Sequence, residues 1–124
     1  MRRGLSEVSR GYDVVVIGAG AAGMSAALFS AIRGAKTLLV EKTGFVGGTS
    51  ALSAGSIWIP NTRHASAVGA TDSAANVEKY LQQIVGNHAD VALRAAFLKA
   101  GPAAVDVLED HSEVKLRAYV RHPD

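Results

Sequence analysis

Asp13-Val-Val-Val-Ile17-Gly18-Ala-Gly20-Ala-Ala-Gly23 is the stretch whose reading decides the fold. Val14 to Ile17 is an unbroken β-branched run, the pattern of a strand buried on both faces of a parallel sheet. The turn Gly18-x-Gly20-x-x-Gly23 follows it without a gap and opens the helix-forming run Met24 to Arg33, with Gly34 placed to close that helix. A second strand is expected at Thr37-Leu-Leu-Val-Glu41. Tyr12 to Glu41 is then a unit of 30 residues, the length of a right-handed βαβ crossover.

A dinucleotide pyrophosphate needs backbone N–H donors aimed at it with no side chain in the way. Gly18 permits the tight turn out of the strand, Gly20 lets the backbone approach the phosphates, and Gly23 lets the helix pack against the sheet. The phosphates then meet the unpaired N–H groups and the positive dipole end at the helix N-terminus. Such a glycine turn alone is weak evidence. Its context strengthens it, because Glu41 stands 18 residues after Gly23, at the end of the second strand. A carboxylate there accepts hydrogen bonds from adenosine ribose hydroxyls and repels a 2′-phosphate.

Working outward, residues 1–10 are polar and basic without apolar periodicity and read as a flexible tail. The run Val14 to Ile32 carries no charge over 19 residues and follows Arg2, Arg3 and Arg10, so it mimics a signal or membrane segment. Its glycine, alanine and serine content fits a strand and a phosphate-binding helix instead, and no transmembrane segment is expected. With 124 residues the chain is one domain or less. A net charge of +2, from 13 Lys and Arg scattered among 11 Asp and Glu, gives no nucleic-acid footprint. The absence of cysteine removes disulfides, thiolate nucleophiles and thiolate metal sites, and the cytoplasm is the expected compartment.

The cofactor choice turns on Gly44 to Gly55. A simple NAD fold continues from the acidic strand end into another amphipathic helix, whereas Gly44-Phe-Val-Gly-Gly-Thr-Ser50 is too rich in glycine for one. It suits backbone N–H groups and the Thr49 and Ser50 hydroxyls lying along an extended cofactor, which points to FAD. Ile57-Trp58-Ile59 is expected as a short strand or anchor before Pro60. Residues 11–62 read as the N-terminal part of the cofactor domain and 63–124 as its helical continuation. In the latter, Asp72 is the expected cap of a helix carrying Val77, Leu81 and Ile84 and ending at Gly86. Asp90 caps another with Leu93 and Phe97, Gly101-Pro102 breaks it and starts a third, and Glu113 to Val120 alternates like an outer strand.

The run Asp13–Gly23, Glu41-Lys42 and Gly47-Gly48-Thr49-Ser50-Ala51, with Ser53, Trp58 and Pro60, resembles the flavoprotein family of fumarate reductase and 3-ketosteroid Δ1-dehydrogenase. The steroid-dehydrogenase-like branch is the nearer, since its Gly-Gly-Thr-Ser segment also precedes a Trp-hydrophobic-Pro run. Likeness covers nearly the whole chain after residue 11, with a departure at Leu52 and Ala54, where the steroid enzymes more often carry an aromatic and a glycine. The resemblance implies that Gly18, Ala21, Ala22, Glu41, Lys42, Gly48, Thr49, Ser50, Ala54 and Gly55 line FAD, beside Gly20, Gly23 and Gly47 of the motifs. The implied fold is α/β: a Rossmann-like FAD-binding βαβ unit followed by a mainly helical segment, incomplete relative to the family.

The implied function is the FAD-binding portion of an oxidoreductase acting on carbon–carbon bonds, with a 3-ketosteroid or fumarate-like substrate held mainly by residues missing from this chain. The branch uses a catalytic tyrosine shortly after a Pro-Asp pair, and Pro123-Asp124 is the last pair here. No catalytic residue is therefore assigned, and Tyr119 reads as packing. His64, His88, His111 and His122 read as solvated, and Asp106, Glu109 and Asp110 as the wet face of a short helix; no metal site is expected. Trp58 reads as a core anchor. Two alternatives stand beside this reading, a catalytically silent truncated fragment and an NAD-dependent enzyme. Oligomeric state is left open.

Overall fold

A computed structural model describes residues 11–71 and 73–120. The basic tail, the Asp72 cap, His122 and the Pro123-Asp124 pair lie outside the described residues. The chain forms two compact units, one running to Ser56 and the other starting at Ile57.

The first unit is β1 (Val14–Ile17), α1 (Ala21–Ile32) and β2 (Thr37–Val40). The strands are parallel, with Val14 beside Thr37 and Ile17 beside Val40. At the start of the pair, the Lys36 carbonyl accepts from Asp13 N–H at 2.9 Å and Lys36 N–H donates to Asp13 Oδ2 at 2.8 Å. At its far end Gly18 N–H donates to the Val40 carbonyl at 2.7 Å, so the ladder runs into the glycine turn. Helix α1 packs on both strands. A Cβ at Gly23 would stand 1.7 Å from the Gly18 carbonyl oxygen and 3.5 Å from Val16 Cγ1, so glycine here is what lets α1 lie against β1.

The expectation that β1 is buried on both faces is corrected. Val14 and Val16 are half-buried on the α1 side, while Val15 is 55% and Ile17 86% exposed. An unbroken β-branched run states an affinity for burial on both sides. The described residues supply a helix to only one of them.

The second unit holds α2 (Ala74–Val85) and α3 (Val91–His111), preceded by a 3-10 turn at Ala65–Val68. Ser73 caps α2 by accepting from Asn76 N–H at 3.1 Å, and Gly86 stops it. Val77 and Leu81 are buried, whereas Ile84 is exposed. Asp90 caps α3 as expected, accepting from Ala92 N–H at 2.6 Å.

Further expectations change. Gly101-Pro102 does not break the helix, because α3 runs through it unbroken. An interior proline costs about 3 kcal/mol for its missing N–H and its clash with the preceding turn. Packing on the same stretch opposes that cost: Gly101 and Val105 are buried, and a Cβ on Gly101 would stand 2.9 Å from Ile59 Cγ2. Among the described residues, Glu113 to Val120 is not a strand and neither is Ile57 to Ile59. Trp58 is not a core residue but 37% exposed, with its ring 5.6 Å from Tyr80 and 6.2 Å from Phe97 between centroids. No helix among the described residues is long and apolar enough to cross a membrane.

Candidate functional site

The glycine turn, the end of β2 and the Gly47–Leu52 segment converge in the first unit, with Ala19 at their centre. Ala19 is completely buried, and both of its backbone groups are used. Its N–H donates to Glu41 Oε2 at 2.8 Å, and its carbonyl accepts from Gly47 N–H at 2.7 Å. Gly20 and Gly47 form a parallel bridge. A Cβ on Gly48 would stand 3.1 Å from Gly20 Cα, so the two glycine segments touch backbone to backbone. Gly48–Leu52 then winds into a short 3-10 turn, with Gly47 at φ 109° before it.

Glu41 is held from two sides. Besides Ala19, Thr43 donates to Oε1 with its backbone N–H at 3.0 Å and its hydroxyl at 3.0 Å. The Ala19 N–H, then the Thr43 N–H and hydroxyl, lower the Glu41 carboxyl below its ordinary value, because each favours the charged form. The carboxylate is thus ionised and oriented by the protein alone.

Space is left on the other side of the turn. Gly20 has no heavy atom within 4 Å of where a Cβ would be, in contrast to the crowding at Gly23. Helix α1 begins at Ala21 with no side-chain cap, and Ala21 and Ala22 are exposed. The first intrahelical bond is from Met24 N–H to the Gly20 carbonyl at 2.9 Å, so the N–H groups of Ala21, Ala22 and Gly23 have no carbonyl of their own helix to pair with. Open donors, a gap at Gly20 and a preset carboxylate together fit the pyrophosphate and ribose of an adenine dinucleotide.

Gly18, Gly20, Ala21, Ala22, Gly23, Glu41, Gly47 and Gly48 are brought into this one constellation. The others lie around it. Lys42, Thr49, Ser50, Ala54 and Gly55 are exposed, and no hydrogen bond among the described residues engages the Thr49 or Ser50 hydroxyl. Gly55 N–H donates to Ser53 Oγ at 3.1 Å. Two participants escaped the sequence reading: Ala19, which lies between motif positions, and Thr43. The signal for Thr43 was present as Glu-x-Thr, since a threonine two residues after an acceptor folds back on it readily.

A second polar constellation lies in the other unit and corrects two expectations. His64 is not solvated: its Nε2 lies 2.8 Å from Glu109 Oε2. Glu109 is not on a wet face but 5% exposed. Its Oε1 accepts from Leu116 N–H at 2.7 Å, and its Oε2 accepts from Arg63 Nε at 2.8 Å. The Leu116 N–H above all, then Arg63 and His64, hold its carboxyl down at about 2 against the opposing cost of burial. Asp110, which is exposed, takes Arg63 Nη1 at 2.9 Å, and Asp106 lies 3.5 Å from Arg63 Nε without hydrogen-bond geometry. No group of His, Asp and Glu among the described residues could hold a metal ion.

Comparison with known proteins bears on the first constellation. Residues 13–122 match the sequence profile of the FAD binding domain family. The chain is 41% identical over 105 residues to a 3-oxosteroid 1-dehydrogenase of Mycolicibacterium smegmatis, covering 85% of this chain and 18% of that protein. It is 38% identical over 112 residues to a 4-oxocyclohex-2-ene-1-carboxylate 5-dehydrogenase of Sinomonas cyclohexanicum, covering 90% and 19%. Its structure is similar to that of 3-ketosteroid delta1-dehydrogenase from Sterolibacterium denitrificans, with a TM-score of 0.73 and 34% identity over 80% of this chain and 17% of that one. The chain therefore spans about a fifth of the length of the curated relatives it matches.

Proposed function

Because this chain belongs to the FAD binding domain family, we propose that it is the cofactor-gripping portion of an FAD-dependent dehydrogenase that desaturates a carbon–carbon bond in a ring bearing a ketone. The observation that carries the cofactor half is the joint geometry of Gly20, Ala19 and Glu41: a gap beside uncapped helix donors, facing a carboxylate already ionised and aimed. The substrate half draws on the oxo-ring substrates in the names of the relatives.

The chain's own residues bind and orient. The N–H groups of Ala21, Ala22 and Gly23 face the pyrophosphate, Gly20 leaves it room, and Gly18 sets the turn that aims them. Glu41 accepts from the adenosine ribose and disfavours a 2′-phosphate, which selects against a phosphorylated dinucleotide. Thr49 and Ser50 offer free hydroxyls to the middle of the cofactor, with Lys42, Gly47, Gly48, Ala54 and Gly55 lining the approach. Bound FAD supplies the hydride-accepting chemistry that none of the side chains has. Acid and base groups for the substrate come from outside this constellation.

A second reading is favoured by the exposure of Val15 and Ile17 on a two-stranded sheet: the chain grips FAD without turning anything over. Titration of FAD into the purified chain, followed by assay of 3-oxosteroid oxidation with an artificial electron acceptor, separates the two. Uptake with turnover supports the first and uptake without turnover the second. A chain that takes up NAD but not FAD contradicts both.

A further inference from the structure

We infer that Thr43 is a positioning residue for Glu41, its backbone N–H and hydroxyl together holding Oε1 so that the carboxylate is preset for a ribose diol. The inference rests on the reading of this constellation as an FAD site and adds a residue to it.

The geometry is specific. The Thr43 hydroxyl lies 3.0 Å from Glu41 Oε1 and 2.8 Å from the Phe45 carbonyl oxygen, both within donating distance, yet a hydroxyl has one proton. It also accepts weakly from Phe45 N–H at 3.3 Å. A carboxylate offers about four lone-pair positions. Ala19 N–H takes one on Oε2, and Thr43 N–H takes one on Oε1. When the Thr43 proton points to Glu41, Oε1 is filled and Oε2 keeps one place.

A diol has two hydroxyl protons to place. The open position on Oε2 takes one of them, and the Thr43 donors on Oε1 hold the carboxylate in the orientation that presents it. The same hydroxyl fixes the path from residue 43 to residue 45, shortly before Gly47 N–H meets the Ala19 carbonyl. Thr43 thereby couples the carboxylate to the loop that carries Gly47 and Gly48. The effect of the Thr43 donors in lowering the Glu41 carboxyl is consistent with this geometry.

The test uses the whole chain, with FAD as the probe. Thr43→Val keeps the backbone N–H and removes only the hydroxyl; Thr43→Ser keeps the hydroxyl. In the absence of ligand, carbon-detected NMR of the Glu41 carboxyl should titrate at higher pH in Thr43→Val than in wild type, and Thr43→Ser should restore it. FAD affinity should fall about three- to tenfold in Thr43→Val, the scale of one ordinary hydrogen bond acting through the carboxylate, and return in Thr43→Ser. In a Glu41→Gln background the Thr43→Val change should weaken FAD no further, since the hydroxyl acts through the carboxylate. A wild-type chain that takes up no FAD overturns the cofactor reading, and the role toward a diol with it. FAD binding that ignores Thr43→Val, or losses that add fully in the double variant, overturns the inference about Thr43 alone.

Discussion

Glu41 and Glu109 are two carboxylates of the same type, each pinned by a backbone N–H from a distant position and each held below its ordinary titration range, but their surroundings differ in kind. Around Glu41 the structure leaves room: the neighbouring Gly20 faces open space, and Ala21 and Ala22 present unpaired donors. Around Glu109 it leaves none: the side chain is almost wholly buried and its oxygens are divided among Leu116, Arg63 and His64. A carboxylate preset beside empty space is arranged for something that arrives. A carboxylate saturated from within fastens its own unit, tying Arg63 and His64, and the run after α3, to that helix.

The sharpest break in this comparison is inside the glycine motif itself. Gly23→Val should abolish the fold of the first unit, since even a Cβ would overlap the Gly18 carbonyl oxygen at 1.7 Å, and that oxygen is backbone and cannot step aside. Far-ultraviolet circular dichroism and loss of the β1–β2 amide protection in hydrogen exchange would register it. Gly20→Val should behave in the opposite way. With nothing within 4 Å of the new Cβ, the thermal midpoint should stay close to wild type, while FAD affinity drops by about a hundredfold or more from steric exclusion of the phosphates. Equal loss of stability in both variants would mean that the gap at Gly20 is not kept for a ligand.

The next effect lies at Glu109 and runs with pH. Its carboxyl is held at about 2 in the folded chain against an ordinary 4.5, so the folded form binds the proton less readily than the unfolded form. The stabilisation is complete above about 4.5 and is lost progressively as pH falls through about 2. The Leu116 amide resonance and helical ellipticity should change together across that window. Glu109→Gln should be less stable at neutral pH and should lose this part of the acid response. An acid response unchanged by Glu109→Gln would assign it to another carboxylate.

The βαβ unit was legible because every cue for it is local: β-branched residues, three glycines at fixed offsets and an acidic strand end fall within 30 residues. The features that were not legible depend on distant partners. Glu109 looks like a solvated residue on α3 until Arg63, 46 residues earlier, reaches it. Gly101-Pro102 reads as a break until Ile59 is seen against Gly101. Val15 and Ile17 show the reverse error, a composition suited to burial on a face that the described residues leave open. Thr43 was readable in principle, but Glu-x-Thr is common in turns, and it gains meaning only once Ala19 is known to hold the other oxygen.

The smallest effect expected is at His64. Its one hydrogen bond, at 2.8 Å to Glu109 Oε2, comes from a side chain 27% exposed, and it adds charge attraction only when the ring is protonated. Arg63 reaches the same oxygen through Nε at 2.8 Å and Nη2 at 2.7 Å, and Asp110 through Nη1. His64→Ala should therefore lower the thermal midpoint by about 2–4 °C, the scale of one modest hydrogen bond in a domain this size, and Arg63→Ala by clearly more. Differential scanning calorimetry at neutral pH measures both midpoints. If His64→Ala there costs as much as Arg63→Ala, the carboxylate is held by both partners equally. The saturation that distinguishes Glu109 from Glu41 would then depend on the histidine's hydrogen bond as much as on the arginine.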